Sequence, residues 1–250
     1  MSGMILRSAA TALASLLAVN SALGSTIANC NADAILVFDA SASMAGIGQS
    51  QLSVPRIEEA RTAIRQSLPE ITPFRRVGLI VYGPGPNGTC GNIDLRLAPT
   101  PNAAKRIIAE IEATEPDGGT PLARAVQEAA QVLNPQDPGI VVLVTDGADT
   151  CDGQTCEVAA ALGPTNVTVH VIGFRLPYDT LVFSDHTTHL EQSEDQRQRL
   201  NTETRCLADQ TGGTFVTADS TEGLVNALQE MLTCPVVSDT RARHSPWKWS

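Results

Sequence analysis

Two apolar runs in this chain end abruptly in acids. "AILVFD" spans Ala34 to Asp39, and "GIVVLVTD" spans Gly139 to Asp146. A strand that is apolar at successive positions needs cover on both faces, and a mostly parallel sheet clothed by helices supplies it. The rest of the pattern agrees. Ser53 and Pro55 mark the start of a helix to Leu68 that carries Ile57, Ala60, Ile64 and Leu68 on one face. "VGLIVY" (Val77 to Tyr82) is a third apolar strand, and "GPGPNGTCGN" after it is a loop by composition. "IDLRLA" alternates sides and reads as an antiparallel hairpin partner at a sheet edge. Thr100-Pro101 is placed to cap a helix presenting Ala104, Ile107, Ile108 and Ile111.

The second half repeats the alternation. Pro121 to Leu133 is helical, with Leu122, Val126, Ala129 and Leu133 inward. A short helix follows Cys156, then the strand "VTVHVIGF", a helix over about Gln196 to Gln210 and the strand "GTFVTA". Ser220 caps a last helix with Leu224, Leu228 and Met231. The fold expected is α/β: a doubly wound, mostly parallel sheet with helices on both faces and one antiparallel edge strand.

The totals set limits. A chain of 250 residues, 42% hydrophobic, suits one globular domain. Aromatic residues make up 4%, so Val, Ile, Leu and Ala must build the core. A formal charge of −10 with no basic run argues against a nucleic-acid partner, because phosphate binding needs clustered Lys and Arg. The first residues read as a secretory signal: Arg7, a weakly apolar stretch from Ala9 to Val19, then small residues. Cleavage is expected after Gly24, or as late as Ala28. The apolar run is too short and too interrupted for a membrane anchor, and no later segment is apolar enough to cross a bilayer. The chain therefore divides into a signal over 1–24, a domain over 30–234 and a disordered tail over 235–250. Six cysteines behind a signal point to disulfides in an oxidising compartment, secreted or periplasmic.

In open parallel sheets, ligands sit beyond the carboxyl ends of the strands, at the point where strand order reverses. Asp39 and Asp146 lie at two such ends, Ser41 and Ser43 follow in D-x-S-x-S, and Thr120 precedes a helix. Five oxygen-bearing side chains on one rim match the needs of a hard cation, Mg²⁺ or else Mn²⁺ or Ca²⁺. Two carboxylates balance its charge, so an open coordination position would favour an anionic ligand. Taken singly, each residue has a plainer use as a turn or helix cap. Their common rim is what favours metal binding.

Together, D-x-S-x-S after an apolar strand, then G-G-T-P-L, then an apolar strand ending in T-D-G, resemble a von Willebrand factor type A (VWA) domain. The resemblance runs from Asn31 to about Leu232. It implies that Asp39, Ser41, Ser43, Thr120 and Asp146 form a metal-ion-dependent adhesion site (MIDAS), intact here. It also implies that the metal's open position takes a Glu or Asp from a protein partner. "VTDGADTCDGQTC" and "YGPGPNGTCGNIDL" are similar to a subset of secreted bacterial members.

Other features stay open at this level. The polar segment from Leu176 to Asp195 is longer than its connection needs; it is either a recognition loop near the metal rim or a disordered insertion. His186 and His189 read as solvated loop residues rather than soft-metal ligands, and His170 as a packed strand residue. Cys30 and Cys234 are expected to pair across the rim opposite the metal. Cys151 and Cys156 flank a short turn and form the second candidate pair. Cys206 is then a free buried thiol, unless Cys90 takes a partner from Cys151 and Cys156.

Three functions follow: a metal-dependent protein-binding module, a metal-dependent hydrolase, and a domain whose metal only stabilises the fold. The sequence lacks G-x-S-x-G, S-x-x-K, H-E-x-x-H and the P-loop, so binding without enzymatic activity is expected, by a monomer.

Overall fold

The computed structural model describes residues 31–46, 54–85, 90, 92–174 and 202–234. Six strands form one sheet: β1 (Asp33–Asp39), β2 (Val77–Tyr82), β3 (Ile93–Thr100), β4 (Gly139–Thr145), β5 (Val167–Phe174) and β6 (Phe215–Ala218). Their order is β3-β2-β1-β4-β5-β6. All neighbours are parallel except β2 and β3, so the expected antiparallel edge strand is present. On β3, Asp94 and Arg96 face solvent as an ion pair, and charge on an edge strand discourages pairing with another sheet.

The helices are α1 (Arg56–Ile71), α2 (Ala104–Glu112), α3 (Leu122–Val132), α4 (Thr155–Leu162), α5 (202–211 as described) and α6 (Thr221–Leu232). Successive residues of a strand point to opposite faces. Leu36 and Phe38 of β1 therefore pack with α1, α2 and α6 through residues such as Ile64, Ile107 and Leu228. Ile35 and Val37 pack on the other face with Leu122 and Val126 of α3, Ala159 of α4 and Leu207 of α5. Ala34 to Phe38 are all 0% exposed, which is why that run carries no alternation. Among the described residues no helix is long and apolar enough to cross a membrane.

Several boundaries differ from the sequence reading. Helix α1 continues past Leu68 to Ile71 and contains Pro69. A proline in a last turn removes one N–H without ending the hydrogen bonding around it; Thr72 still donates to the Leu68 carbonyl at 3.0 Å. Thr100 does not cap α2 but ends strand β3, and Thr72 Oγ1 instead accepts the Ala104 N–H at 3.3 Å. Helix α4 begins at Thr155, so Cys156 lies inside it. Ser220 caps α6 as expected, accepting from the Gly223 N–H at 2.9 Å.

The cysteine pairing needs correction. Cys151 and Cys156 do not bond to each other, and Cys206 is not free. Cys90 pairs with Cys151 (Cα–Cα 5.5 Å) and Cys156 with Cys206 (5.1 Å). The cause is local. Asp149 Oδ1 accepts the N–H groups of Cys151 and Gly153 at 2.8 and 3.0 Å, which curls that loop toward Gly119. Cys156 lies within α4 and bonds Cys206 of α5, which packs against the second core. Cys234 is disulfide-bonded, while Cys30 lies outside the described residues. Also outside them are Ser53, the segments 1–24, 176–195 and 235–250, and His186 and His189. His170 is partly buried in β5, where its Nδ1 accepts the Thr214 N–H at 3.1 Å, and burial lowers its pKa.

Candidate metal centre

The chain leaves β1 for β2 on one side of the sheet and returns to β4 on the other. The carboxyl ends of β1 and β4 therefore flank the reversal of strand order, where a crevice opens in sheets of this kind. Asp39 ends β1, and Thr145 ends β4 directly before Asp146. Past Asp39 the backbone turns through a short 3₁₀ segment, Ala42–Ala45. Gly83 makes that turn possible. Its φ is +115°, and a Cβ there would lie 2.5 Å from the carbonyl of Ala40 and the nitrogen of Ser41.

The turn folds Ser41 and Ser43 against Asp146. The Ser41 and Ser43 hydroxyls are 3.0 Å apart, and Ser43 Oγ donates to Asp146 Oδ1 at 2.6 Å. The third loop is held from two sides. Ala42 N donates to Gly118 O at 3.1 Å, and Thr120 exchanges two bonds with Thr150, N to Oγ1 at 2.9 Å and O from N at 3.1 Å. Thr120 does not cap α3, because the Ala123 N–H goes to Asp149 Oδ2 at 2.9 Å. Ser41, Ser43, Thr120 and Asp146 line a single cavity of about 270 Å³. Asp39 stands behind that wall, 0% exposed, with Oδ1 on the Ser41 N–H (2.8 Å) and Oδ2 on the Thr145 hydroxyl (2.7 Å).

The five residues singled out from the sequence thus occupy one rim, four on the cavity surface and one behind it. Four further residues had no signal strong enough to be found in advance. Thr145 orients Asp39. Asp149 and Thr150 hold the Thr120 loop, and the "TDGADT" run containing them reads as an ordinary turn. Arg56, the first residue of α1, places Nη1 3.0 Å from Ser43 O and 3.3 Å from Asp146 Oδ2, and it also lines the cavity.

The electrostatics match an acceptor of positive charge. Burial, and then the neighbouring charge of Asp39, push the Asp146 carboxyl up to about 7; the Ser43 hydrogen bond and Arg56 oppose the shift. Burial and Asp39 also raise the Tyr82 hydroxyl well above its ordinary range. Among the described residues, no three His, Cys, Asp or Glu side chains converge, so the donor set is two carboxylates completed by hydroxyls. Oxygen ligands about 2.1 Å from an octahedral cation sit about 3.0 Å from their neighbours. The 3.0 and 2.6 Å separations along Ser41, Ser43 and Asp146 suit such a shell. These residues fit a hard divalent cation.

Residues 34–148 match the family model described as von Willebrand factor type A domain. Over 62 residues the chain is 42% identical to the Bacillus subtilis (strain 168) "Uncharacterized protein YwmC", an alignment covering 24% of this chain and 27% of that protein. The chain therefore spans only about a quarter of that relative's length. Among solved structures, BatB from Bacteroides thetaiotaomicron is similar with a TM-score of 0.56 at 21% identity, over 80% of this chain and 98% of the other. Proximal thread matrix protein 1 from the mussel byssus, described as having a zinc-occupied MIDAS motif, gives 0.54 at 15% identity, over 82% and 46% of the respective chains. At such identities the structural matches establish a common fold, and the family model covers residues 34–148, somewhat less than half of the chain.

Proposed function

We propose that this chain carries a von Willebrand factor type A domain and is a protein-binding module that grips an acidic residue of its partner through a divalent cation. The observation that carries the reading is the juxtaposition of Ser41, Ser43, Thr120 and Asp146 on the wall of one cavity, with Asp39 held behind them. Ser41, Ser43, Thr120 and Asp146 would hold the cation directly, and Asp39 would add its charge from behind. The bound cation, Mg²⁺ or else Mn²⁺ or Ca²⁺, would supply an open coordination position for a Glu or Asp side chain. The residues do the positioning. Thr145 fixes Asp39, Thr150 brackets Thr120, and the Cys90–Cys151 bridge ties the surrounding loops. The mussel protein's zinc-occupied MIDAS, on a similar fold, supports the assignment by analogy.

The reading is binding rather than turnover. No histidine or lysine lines the described cavity to act as a general base or nucleophile. Disulfide bonding supports a secreted or periplasmic setting. Calorimetric titration of the wild type with Mg²⁺ and Mn²⁺ tests the site, beside Asp39→Ala and Thr120→Ala. One saturable site lost in both variants is the expected result. A wild type with intact disulfides and no saturable binding would overturn the proposal.

A further inference from the structure

Arg56 is the residue at this rim that a simple oxygen-donor shell does not explain. It opens α1, where a cation is unfavourable beside the positive end of the helix dipole. Its Nη1 contacts belong to the metal centre, Ser43 O at 3.0 Å and Asp146 Oδ2 at 3.3 Å. The Asp146 side chain is 0% exposed while that of Arg56 is 20% exposed, so the guanidinium reaches from the buried carboxylate to the open cavity. Helix stability does not call for a cation there, and the cation's partners are the candidate ligands themselves.

We infer that Arg56 is a specificity-determining residue of the site: its fixed positive charge weakens cation binding and makes the loaded site select an anionic partner group. The inference rests on the proposed metal site and deepens it. Charge counting gives the mechanism. Asp39 and Asp146 balance a divalent cation, and Arg56 leaves the loaded centre with one net positive charge. A carboxylate entering the cavity then meets a guanidinium with donor N–H groups as well as the cation, an arrangement suited to planar two-oxygen recognition. The same charge repels the incoming cation and competes for Asp146 Oδ2. Removing it therefore moves the two affinities in opposite directions, whereas a merely structural role would move both down together.

The test uses the whole protein with Mn²⁺ as metal and acetate as carboxylate probe, in wild type, Arg56→Gln and Arg56→Lys. Mn²⁺ affinity is read by calorimetry, and acetate binding by the loss of water proton relaxation as Mn²⁺-bound water is displaced. Melting curves in chelator check folding. Arg56→Gln should bind Mn²⁺ about tenfold more tightly, as expected for removing one like charge at the rim, and acetate several-fold more weakly. Arg56→Lys, which keeps the charge but not the planar pair of donors, should bind Mn²⁺ near wild type and acetate between the wild type and Arg56→Gln. If Arg56→Gln binds Mn²⁺ no more tightly, if both affinities fall together, or if Arg56→Lys behaves like a neutral variant, the inference is overturned while the metal site stands. A wild type that binds no Mn²⁺ overturns the metal site and this inference with it.

Discussion

Thr145 donates its hydroxyl proton to Asp39 Oδ2 across 2.7 Å, joining the ends of two adjacent strands through side chains that are both 0% exposed. The same hydroxyl accepts from the Gly147 N–H at 3.2 Å. Asp39 is thereby pinned before any ligand arrives. Thr145→Val keeps the shape and removes the hydroxyl, leaving a buried carboxylate oxygen unpaired. The expected loss is about 1–3 kcal/mol of unfolding free energy in chelator, with metal affinity reduced several-fold. Thr145→Ser should restore both. Urea denaturation and metal calorimetry on the three proteins decide it; an unchanged Thr145→Val would show that Asp39 needs no such support.

Asp146 gives the apo protein a characteristic pH dependence. Its folded-state pKa is about 7 against an ordinary 3.8, because burial and Asp39 disfavour the charged form. Through that window the native state holds a proton that the unfolded chain has released, so stability falls as pH rises from about 4 to about 7 and then levels off. At 1.36 kcal/mol per pKa unit, the loss is at most about 4 kcal/mol. Asp146→Asn should lack this component, which separates it from other titrating groups. Saturating Mg²⁺ should flatten the slope by favouring the ionised carboxylate. Urea midpoints from pH 4.5 to 8, with chelator and with Mg²⁺, measure all three; a wild type that matches Asp146→Asn at every pH would refute the assignment.

The Cys90–Cys151 bridge stands against the Thr120 loop. A Cβ on Gly119 would lie 2.9 Å from one of its sulfurs and 3.0 Å from the other, and Arg124 Nη1 donates to Cys90 O at 3.2 Å. Replacing both cysteines by serine frees a 61-residue separation in the unfolded chain, worth about 4 kcal/mol on the chain-entropy estimate. It also loosens the loop carrying Thr120. A lower Tm and weaker metal binding are expected together. Removing Cys156 and Cys206 in the same way should lower Tm with a smaller effect on metal affinity, because that bridge joins α4 to α5. Calorimetry and thermal melts on both double variants would expose an error if the second bridge mattered more to the metal.

What was legible in the sequence was whatever has a one-dimensional signature. Ala34 to Phe38 lack alternation because both faces of β1 are buried, so an uninterrupted run already specifies a central strand. Asp39, Ser41 and Ser43 are close in sequence, and the strand pattern alone puts Asp146 at the same end of the sheet. Contacts between distant segments were not legible. Nothing near Arg56 announces a bond to a residue 90 positions away. The Cys151–Cys156 expectation failed because short spacing says nothing about side-chain direction. Asp149 and the start of α4 turn those two cysteines to different neighbours. Thr100-Pro101 has the composition of a helix start, but pairing of Thr100 with Val77 keeps it in the sheet.

Arg75 supplies the control at the opposite rim. It is 5% exposed, and burial lowers its pKa although the Asp33 carboxylate opposes this. Its Nε donates to Leu232 O and its Nη1 to Ala32 O, each at 2.7 Å, so one guanidinium ties the entry to β1 to the end of α6. The two carbonyls belong to segments 200 positions apart in the chain, joined here without a strand ladder between them. Arg75→Met keeps most of the apolar stem but leaves both carbonyls without that donor, and the expected cost is about 2–4 kcal/mol. Because Arg75 serves the amino-terminal rim of β1, metal affinity should stay within about twofold of wild type once the variant is folded, as expected for well-separated sites. Urea denaturation reads the first effect and Mn²⁺ calorimetry the second. A large fall in metal affinity would mean that the two ends of the sheet are coupled and that the rim holding Asp39 is not organised locally.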